Sequence, residues 1–189
     1  MFDRILVALD VDDNYALLFE KALSLAQATG AELTLLSVLA PHYDPSTSLR
    51  YYPGMMGYSP TMEDSFWDNC QKEYIDRKER GFRILSDLSD RARRRGIVTD
   101  FFQKSGEPGP IICESAKSKR ADLVMVSSHG RRGIEELLVG SVSNYVMHRA
   151  PCSVMVVHRS ISEESMSEES VSEEEMRKEA ATTSVRQEL

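Results

Sequence analysis

Glycine and serine residues are concentrated in the stretch 125–145, the part of the sequence best suited to hold a ligand. Gly130 lies in a predicted turn, and Gly140 opens a predicted helix that carries Ser141 and Ser143 in its first turn. Glycine allows close backbone approach, and the free N–H groups at a helix start attract anions. We therefore expect a phosphate group to bind the amide of Gly130 and the first amides of that helix, with both serine hydroxyls donating. On this pattern alone, a packing role for the glycines stays open.

Three carboxylates follow the first apolar run of the sequence, at Asp10, Asp12 and Asp13. Mg²⁺ is usually held by one or two carboxylates together with the phosphates of a nucleotide, so this cluster fits such an ion. Asp12 or Asp13 also fits the N-cap of the following helix, where a carboxylate interacts favourably with the helix dipole. The N-cap is the simpler hypothesis for these two residues.

The motifs of several enzyme classes are absent from the sequence. It contains neither the Gly-x-x-x-x-Gly-Lys-[Ser/Thr] loop of Walker-type ATPases nor the Gly-x-Gly-x-x-Gly of nicotinamide dehydrogenases. A Gly-x-Ser-x-Gly nucleophile elbow is also missing, which argues against a hydrolase. His129 fits a general base or a phosphate contact, but it also fits an ordinary solvated turn. We assign no catalytic residue and no metal site, and a slow ATPase remains a weaker hypothesis without an identified base.

Strand-like and helix-like periodicities alternate along the chain. The predicted strands are Arg4–Leu9, Glu32–Leu39, Ile97–Gln103, Asp122–Ser127 and Ser153–Val157, and the predicted helices are 14–29, 62–95, 108–120 and 140–149. This alternation implies parallel β-α-β units, so the predicted fold class is α/β, a doubly wound sheet of five parallel strands with helices on both faces. Ligands bind such sheets at the carboxyl ends of the strands, which points to the loops after Leu9, Val38 and Ser127.

The predicted helix 62–95 is amphipathic. Its apolar residues fall near one face: Trp67, Cys70, Tyr74, Phe82, Leu85, Leu88 and Ala92. Gly81 lies within this helix and lowers its stability by about 1 kcal/mol relative to alanine. Arg91 and residues 93–95 complement the negative end of the helix dipole, so we do not interpret them as a nucleic-acid site.

Two segments fall outside the alternating pattern. The insert 40–60 contains four of the seven prolines and is longer than the usual connection between elements. The segment 159–189 holds nine Glu and four basic residues, and we predict a disordered acidic tail that is dispensable for ligand binding. The remaining domain, 1–158, carries only −2 of the net charge of −7, which argues against a nucleic-acid partner.

The sequence also bears on the compartment. No apolar run approaches the roughly 18 residues that span a bilayer, and the first residues lack the longer apolar region of an export signal. Cys70, Cys113 and Cys152 lack the spacing of a metal site, and we expect the last two to be buried and inert. These features predict a cytoplasmic protein with no membrane partner.

The glycine and serine pattern is similar to a known nucleotide signature. Ser127-Ser-His-Gly130, nine residues, and then Gly140-Ser141 resemble the Gly-x-x-Gly-x9-Gly-[Ser/Thr] signature of the universal stress protein family. The opening Ile-Leu-Val-Ala-Leu-Asp and the closing Ala-Pro-Cys-Ser-Val-Met-Val-Val are similar too, so the resemblance covers about 1–158. It implies a Rossmann-like, dimeric, cytoplasmic domain that binds ATP, with or without Mg²⁺, or another adenine nucleotide in stress response or signalling.

The resemblance also implies which residues contact the nucleotide. These are Ala8, Leu9, Asp10, Val38, Met125, Ser127, Gly130, Gly140, Ser141, Val142 and Ser143. In this assignment Asp10 contacts the ribose and Val38 packs against the adenine. The residues from Gly140 onward contact the phosphates, and the homodimer forms through the last strand, Ser153–Val157.

One residue departs from the family signature. Ser127 stands where the family has its first glycine, so a side chain is present where the consensus has none. An alternative hypothesis is therefore a dimeric interaction protein on the same fold that binds no nucleotide and acts on an unidentified protein partner.

Overall fold

The structure, a computed structural model, describes residues 1–12, 15–40, 64–128 and 140–158, with the backbone alone at 64–68 and at residue 70. One compact unit spans Met1–Val157. The elements in chain order are β1 (Arg4–Ala8), α1 (Tyr15–Thr29), β2 (Glu32–Leu39), α2 (Asp64–Arg94), β3 (Thr99–Ser105), α3 (Pro108–Ser118), β4 (Leu123–Ser127), α4 (Ser141–Arg149) and β5 (Ser153–Val157). The predicted insert 40–60, apart from Ala40, and the predicted tail 159–189 lie outside the described residues.

The strands form a single parallel sheet in the order β3-β2-β1-β4-β5. This confirms the predicted α/β fold with five parallel strands. The strand order reverses between β1 and β4, where chain connections leave in opposite directions and open a crevice at the carboxyl ends. The fold therefore provides one place where loops from several strands converge around a ligand.

Helices cover both faces of the sheet. On one face, Val7, Leu35 and Met125 pack in a buried cluster with residues of α1 and α2, such as Phe19 and Leu85. On the other face, the alternate strand residues pack against α3 and α4 in a second cluster: Leu6, Leu36, Val124, Val126, Ile112, Ala116 and Val146. Since successive strand residues point to opposite faces, two apolar cores follow from nearly continuous apolar strands.

The third strand is shifted from its predicted position by two residues. It was expected at Ile97–Gln103 and runs instead over Thr99–Ser105. Ile97 lies just after α2, and its N–H donates to the carbonyl of Ala92 in the last turn of that helix at 3.2 Å. At the other end, Lys104 and Ser105 stay in the strand because they pair with β2 at the edge of the sheet, where polar side chains remain solvated.

Helix α2 packs through the predicted face over its last turns, with one exception at Phe82. Leu85, Leu88 and Ala92 are buried as expected, but Phe82 is 55% exposed. Gly81 is buried instead, and a Cβ at this position would clash with the side-chain amide of Gln103. The glycine thus allows close approach of helix and strand, which explains why a weak helix former lies there.

The two cysteines with described side chains, Cys113 and Cys152, are free and half-buried. Burial raises the pKa of both thiols, and the Asp122 carboxylate raises that of Cys152 further. Both thiols therefore stay protonated at neutral pH and are weak nucleophiles. No helix within the described ranges is long and apolar enough to cross a membrane.

Candidate functional site

A cleft opens at the carboxyl ends of β1, β2 and β4, next to the first turns of α3 and α4. Its lining residues are Ala8, Leu9, Asp10, Leu36, Val38, Pro108, Ile112, Val126, Ser127 and Val142. Six of these were predicted as ligand contacts from the sequence, so the fold brings together residues that are distant along the chain. The cleft lies at the reversal of strand order, the usual place for a ligand in an open parallel sheet.

The loop after β1 supplies the carboxylate of the cleft. Asp10 is exposed, and its Oδ1 accepts a hydrogen bond from the backbone N–H of Asp12 at 3.1 Å. The Asp12 carboxylate itself pairs with Arg77 of α2, with 2.7 Å between Oδ2 and Nη1. The structure therefore gives Asp12 a different partner from either the metal ion or the helix N-terminus considered above. Asp13 lies outside the described residues.

The start of α4 presents backbone donors. Gly140 is the N-cap, with φ −56° and ψ 158°, and the first hydrogen bond of the helix runs from the Asn144 N–H to the Gly140 carbonyl at 2.9 Å. The preceding N–H groups, at 141–143, consequently have no acceptor within the helix. The Ser143 hydroxyl donates to the same Gly140 carbonyl at 2.9 Å, so the backbone of this turn, rather than that hydroxyl, is available to an anion.

Met125, a predicted contact on β4, lies on the face away from the α3 and α4 helices. Met125 is fully buried in the core beneath α1 and does not line the cleft, so its side chain is not brought to the site. Ser127 follows two residues later and pairs with Val157, which belongs to the same core. Unlike Met125, Ser127 lines the cleft at the end of this strand, next to the apolar Val126.

Besides Val126, which lies between two predicted contacts on β4, three lining residues were not predicted from the sequence: Leu36, Pro108 and Ile112. Pro108 occupies the first turn of α3, as predicted for that helix, and Ile112 lies one turn later. The carboxyl end of β3 leads directly into this turn, so the rule that selected the other loops applies here as well. Leu36 shares the face of Val38, two residues along the same strand.

The predicted phosphate contact Gly130, together with His129 and the neighbouring arginines, lies outside the described residues. Within the described ranges, no group of three or more His, Cys, Asp or Glu side chains could hold a metal ion. The described part of the cleft therefore combines apolar walls, one carboxylate and a row of backbone donors.

Comparisons with known proteins point to one family. The model of the Universal stress protein family matches residues 1–158. The Universal stress protein YxiE of Bacillus subtilis is 32% identical over 157 residues, covering 83% of this chain and 99% of the relative.

Solved structures share the fold. A universal stress protein in complex with cAMP matches with a TM-score of 0.54 and 22% identity, over 84% of this chain and 98% of that chain. A universal stress protein family protein from Arabidopsis thaliana with AMP bound matches with the same score and identity, over 85% of this chain and 94% of that chain.

Proposed function

Because the chain belongs to the universal stress protein family, we propose that it binds an adenine nucleotide in this cleft. The nucleotide is ATP, with or without Mg²⁺, and the protein acts as a cytoplasmic homodimer in stress response or signalling. One observation carries the proposal: the apolar walls of the cleft, the Asp10 carboxylate and the first backbone amides of α4 lie together at one edge of the sheet.

Each part of an adenine nucleotide has a matching surface in the cleft. Val38, Pro108 and Ile112 form apolar walls for the base, since ligand pockets are lined mainly by such side chains with a few polar groups. Asp10 offers carboxylate oxygens to the hydroxyls of a ribose. The N–H groups at 141–143 offer donors, reinforced by the helix dipole, to phosphate oxygens.

Two further observations support this proposal over a fold that binds no nucleotide. Ser127, the departure from the family signature, lines the cleft, and the cleft keeps apolar walls from Val38, Val126 and Val142 beside it. In addition, two relatives of the same fold were solved with cAMP and with AMP. These ligands share the adenine, ribose and phosphate groups for which we propose contacts in this cleft.

Equilibrium titration of nucleotide-free protein with ATP tests the proposal, together with mass spectrometry of small molecules that co-purify. We expect saturable binding with one nucleotide per chain. No detectable affinity for ATP, AMP or cAMP at millimolar concentration would reject the nucleotide function and favour the alternative, a dimeric interaction protein on this fold.

Replacing Asp10 tests the contact with the ribose. We expect Asp10→Ala to weaken ATP binding by about tenfold, because a hydrogen bond from a hydroxyl to a charged acceptor contributes about 1.5–3 kcal/mol. The unmodified protein should prefer ATP to 2′-deoxy-ATP, and the variant should lose that preference.

The control for this measurement is Asp87→Ala, which removes an exposed carboxylate of α2 that does not line the cleft. Equal affinities for ATP and 2′-deoxy-ATP in the unmodified protein would show that Asp10 makes no contact with the 2′-hydroxyl.

A further inference from the structure

Helix α2 reaches the ribose-binding loop through an ion pair. Arg77 Nη1 lies 2.7 Å from Asp12 Oδ2, and Arg80 Nη1 lies 3.7 Å from Asp12 Oδ1. Arg77 is also held on its own helix by Glu73, with 3.3 Å between Nη2 and Oε1. The Arg77 guanidinium thus contacts two carboxylates, that of Glu73 on its own helix and that of Asp12 in the loop after β1.

The same turn of α2 packs against the residue next to Asp12. Val11 is only 4% exposed, and its Cγ2 would lie 3.4 Å from a Cβ placed on Gly81. Arg77 and Gly81 are four residues apart and therefore lie on one face of the helix. This face of α2 contacts the two residues that follow Asp10: it packs closely against Val11 and forms an ion pair with Asp12.

The held loop in turn orients Asp10. The backbone N–H of Asp12 donates to Asp10 Oδ1 at 3.1 Å, so the position of the Asp12 backbone determines where one carboxylate oxygen of Asp10 lies. Two contacts of Asp12 therefore connect Arg77 to Asp10. The Asp12 carboxylate pairs with Arg77, and the Asp12 backbone N–H donates to the Asp10 carboxylate.

We propose that Arg77 is a positioning residue for the nucleotide site: its ion pair with Asp12 fixes the turn 10–12 and presents the Asp10 carboxylate to the ribose. This inference rests on the proposed function. Arg77 does not line the cleft, and it reaches the loop after β1 through its ion pair with Asp12. Ion pairs at a protein surface contribute little to stability, so the effect belongs to the geometry of the loop.

The variant Arg77→Ala tests the proposal in two measurements. In the nucleotide-free protein, amide exchange at Asp12 should accelerate by about tenfold, because the hydrogen bond to Asp10 opens more often when the loop is released. With nucleotide, ATP affinity should fall by about tenfold, and the preference for ATP over 2′-deoxy-ATP should shrink, since a contact that is no longer preorganised binds less tightly.

Three further variants separate positioning from general stability. Arg77→Lys keeps a charge within reach of Asp12 and should restore most of the ATP preference. Asp12→Ala should reproduce the effect of Arg77→Ala, and the double variant should be no weaker than either single one. Arg83→Ala removes an exposed arginine of α2 whose Nε donates to the Glu79 carbonyl on its own helix, and should change none of these values.

The outcomes are distinguishable. Faster exchange at Asp12 with unchanged ATP affinity and unchanged preference would overturn the positioning role and leave a purely structural ion pair. Unchanged exchange would overturn it as well, whatever the affinity. If the unmodified protein binds no adenine nucleotide, the proposed function fails first, and the role of Arg77 toward the ribose fails with it.

Discussion

Gly140→Val should weaken ATP binding by about tenfold to hundredfold, while the midpoint of thermal unfolding changes little. The valine places a branched Cβ at the opening of α4 and keeps phosphate oxygens from the amides at 141–143. Loss of a charge-assisted hydrogen bond costs about 1.5–3 kcal/mol, and about 1.4 kcal/mol corresponds to a tenfold change in affinity.

The backbone at Gly140 explains why folding should tolerate this change. Its φ of −56° and ψ of 158° lie at the border of the extended region, so the position does not require the positive φ that favours glycine. The loss of stability is then limited to the poorer N-cap, about 1 kcal/mol. Titration calorimetry with ATP and thermal unfolding of the same preparations measure the two effects.

Gly109→Ala is a matched control with the opposite expected pattern. Gly109 is buried in the first turn of α3, and a Cβ there would lie 2.7 Å from the Tyr145 ring of α4. This variant should therefore lose stability through overpacking, by about 1–3 kcal/mol. If Gly140→Val lost stability and affinity to a similar extent, Gly140 would be a packing glycine like Gly109 rather than part of a phosphate site.

The five parallel strands of this domain follow from features that local sequence shows well. Buried parallel strands are nearly continuous apolar runs, as at Leu123–Ser127, and glycines mark the ends of the preceding helices at Gly30 and Gly96. The carboxyl-end rule then locates the ligand cleft without any knowledge of side-chain contacts. For these reasons the fold and most of the cleft lining could be predicted.

Side-chain direction at the cleft could be predicted less well. A family resemblance indicates which sequence positions match a motif, but not on which face of the sheet each side chain lies. Met125 is therefore among the predicted contacts, although its side chain is buried in the core on the α1 and α2 face. The edge strand β3 was shifted because an apolar residue, Ile97, closes the end of α2, while the polar Lys104 remains in the strand through backbone pairing alone.

The contact between Arg77 and Asp12 could not be predicted at all. The contact joins residues 65 positions apart, and no hydrophobic periodicity in the sequence indicates such a distant pair. An arginine on the exposed half of a helix has many possible partners, and only the packing of α2 at Gly81 brings this one to the β1 loop. The local sequence of Asp12 favoured a helix N-cap because propensity describes near neighbours and not distant charges.

We expect the proposed homodimer to dissociate into monomers in the Val156→Lys variant. Strand β5 is an edge of the sheet, and its residues Val154 and Val156 are only partly buried, while Met155 on the other face is 37% exposed. An apolar edge strand with unpaired backbone groups invites pairing with a second copy. Burying an unpaired ammonium there costs about 3–5 kcal/mol, so the dissociation constant should rise by about two orders of magnitude or more.

Sedimentation of the variant over a range of concentrations measures this shift. Val156 also packs against the core beneath α4, so a lysine there affects folding as well.

Met155→Lys avoids that cost, because its side chain is already exposed on the opposite face, and it should weaken the dimer without lowering the unfolding midpoint. Val98→Lys makes the same chemical change at a residue that is 66% exposed, next to the other edge strand, and should leave the dimer intact. Dimers that persist in both β5 variants would place the interface away from this edge.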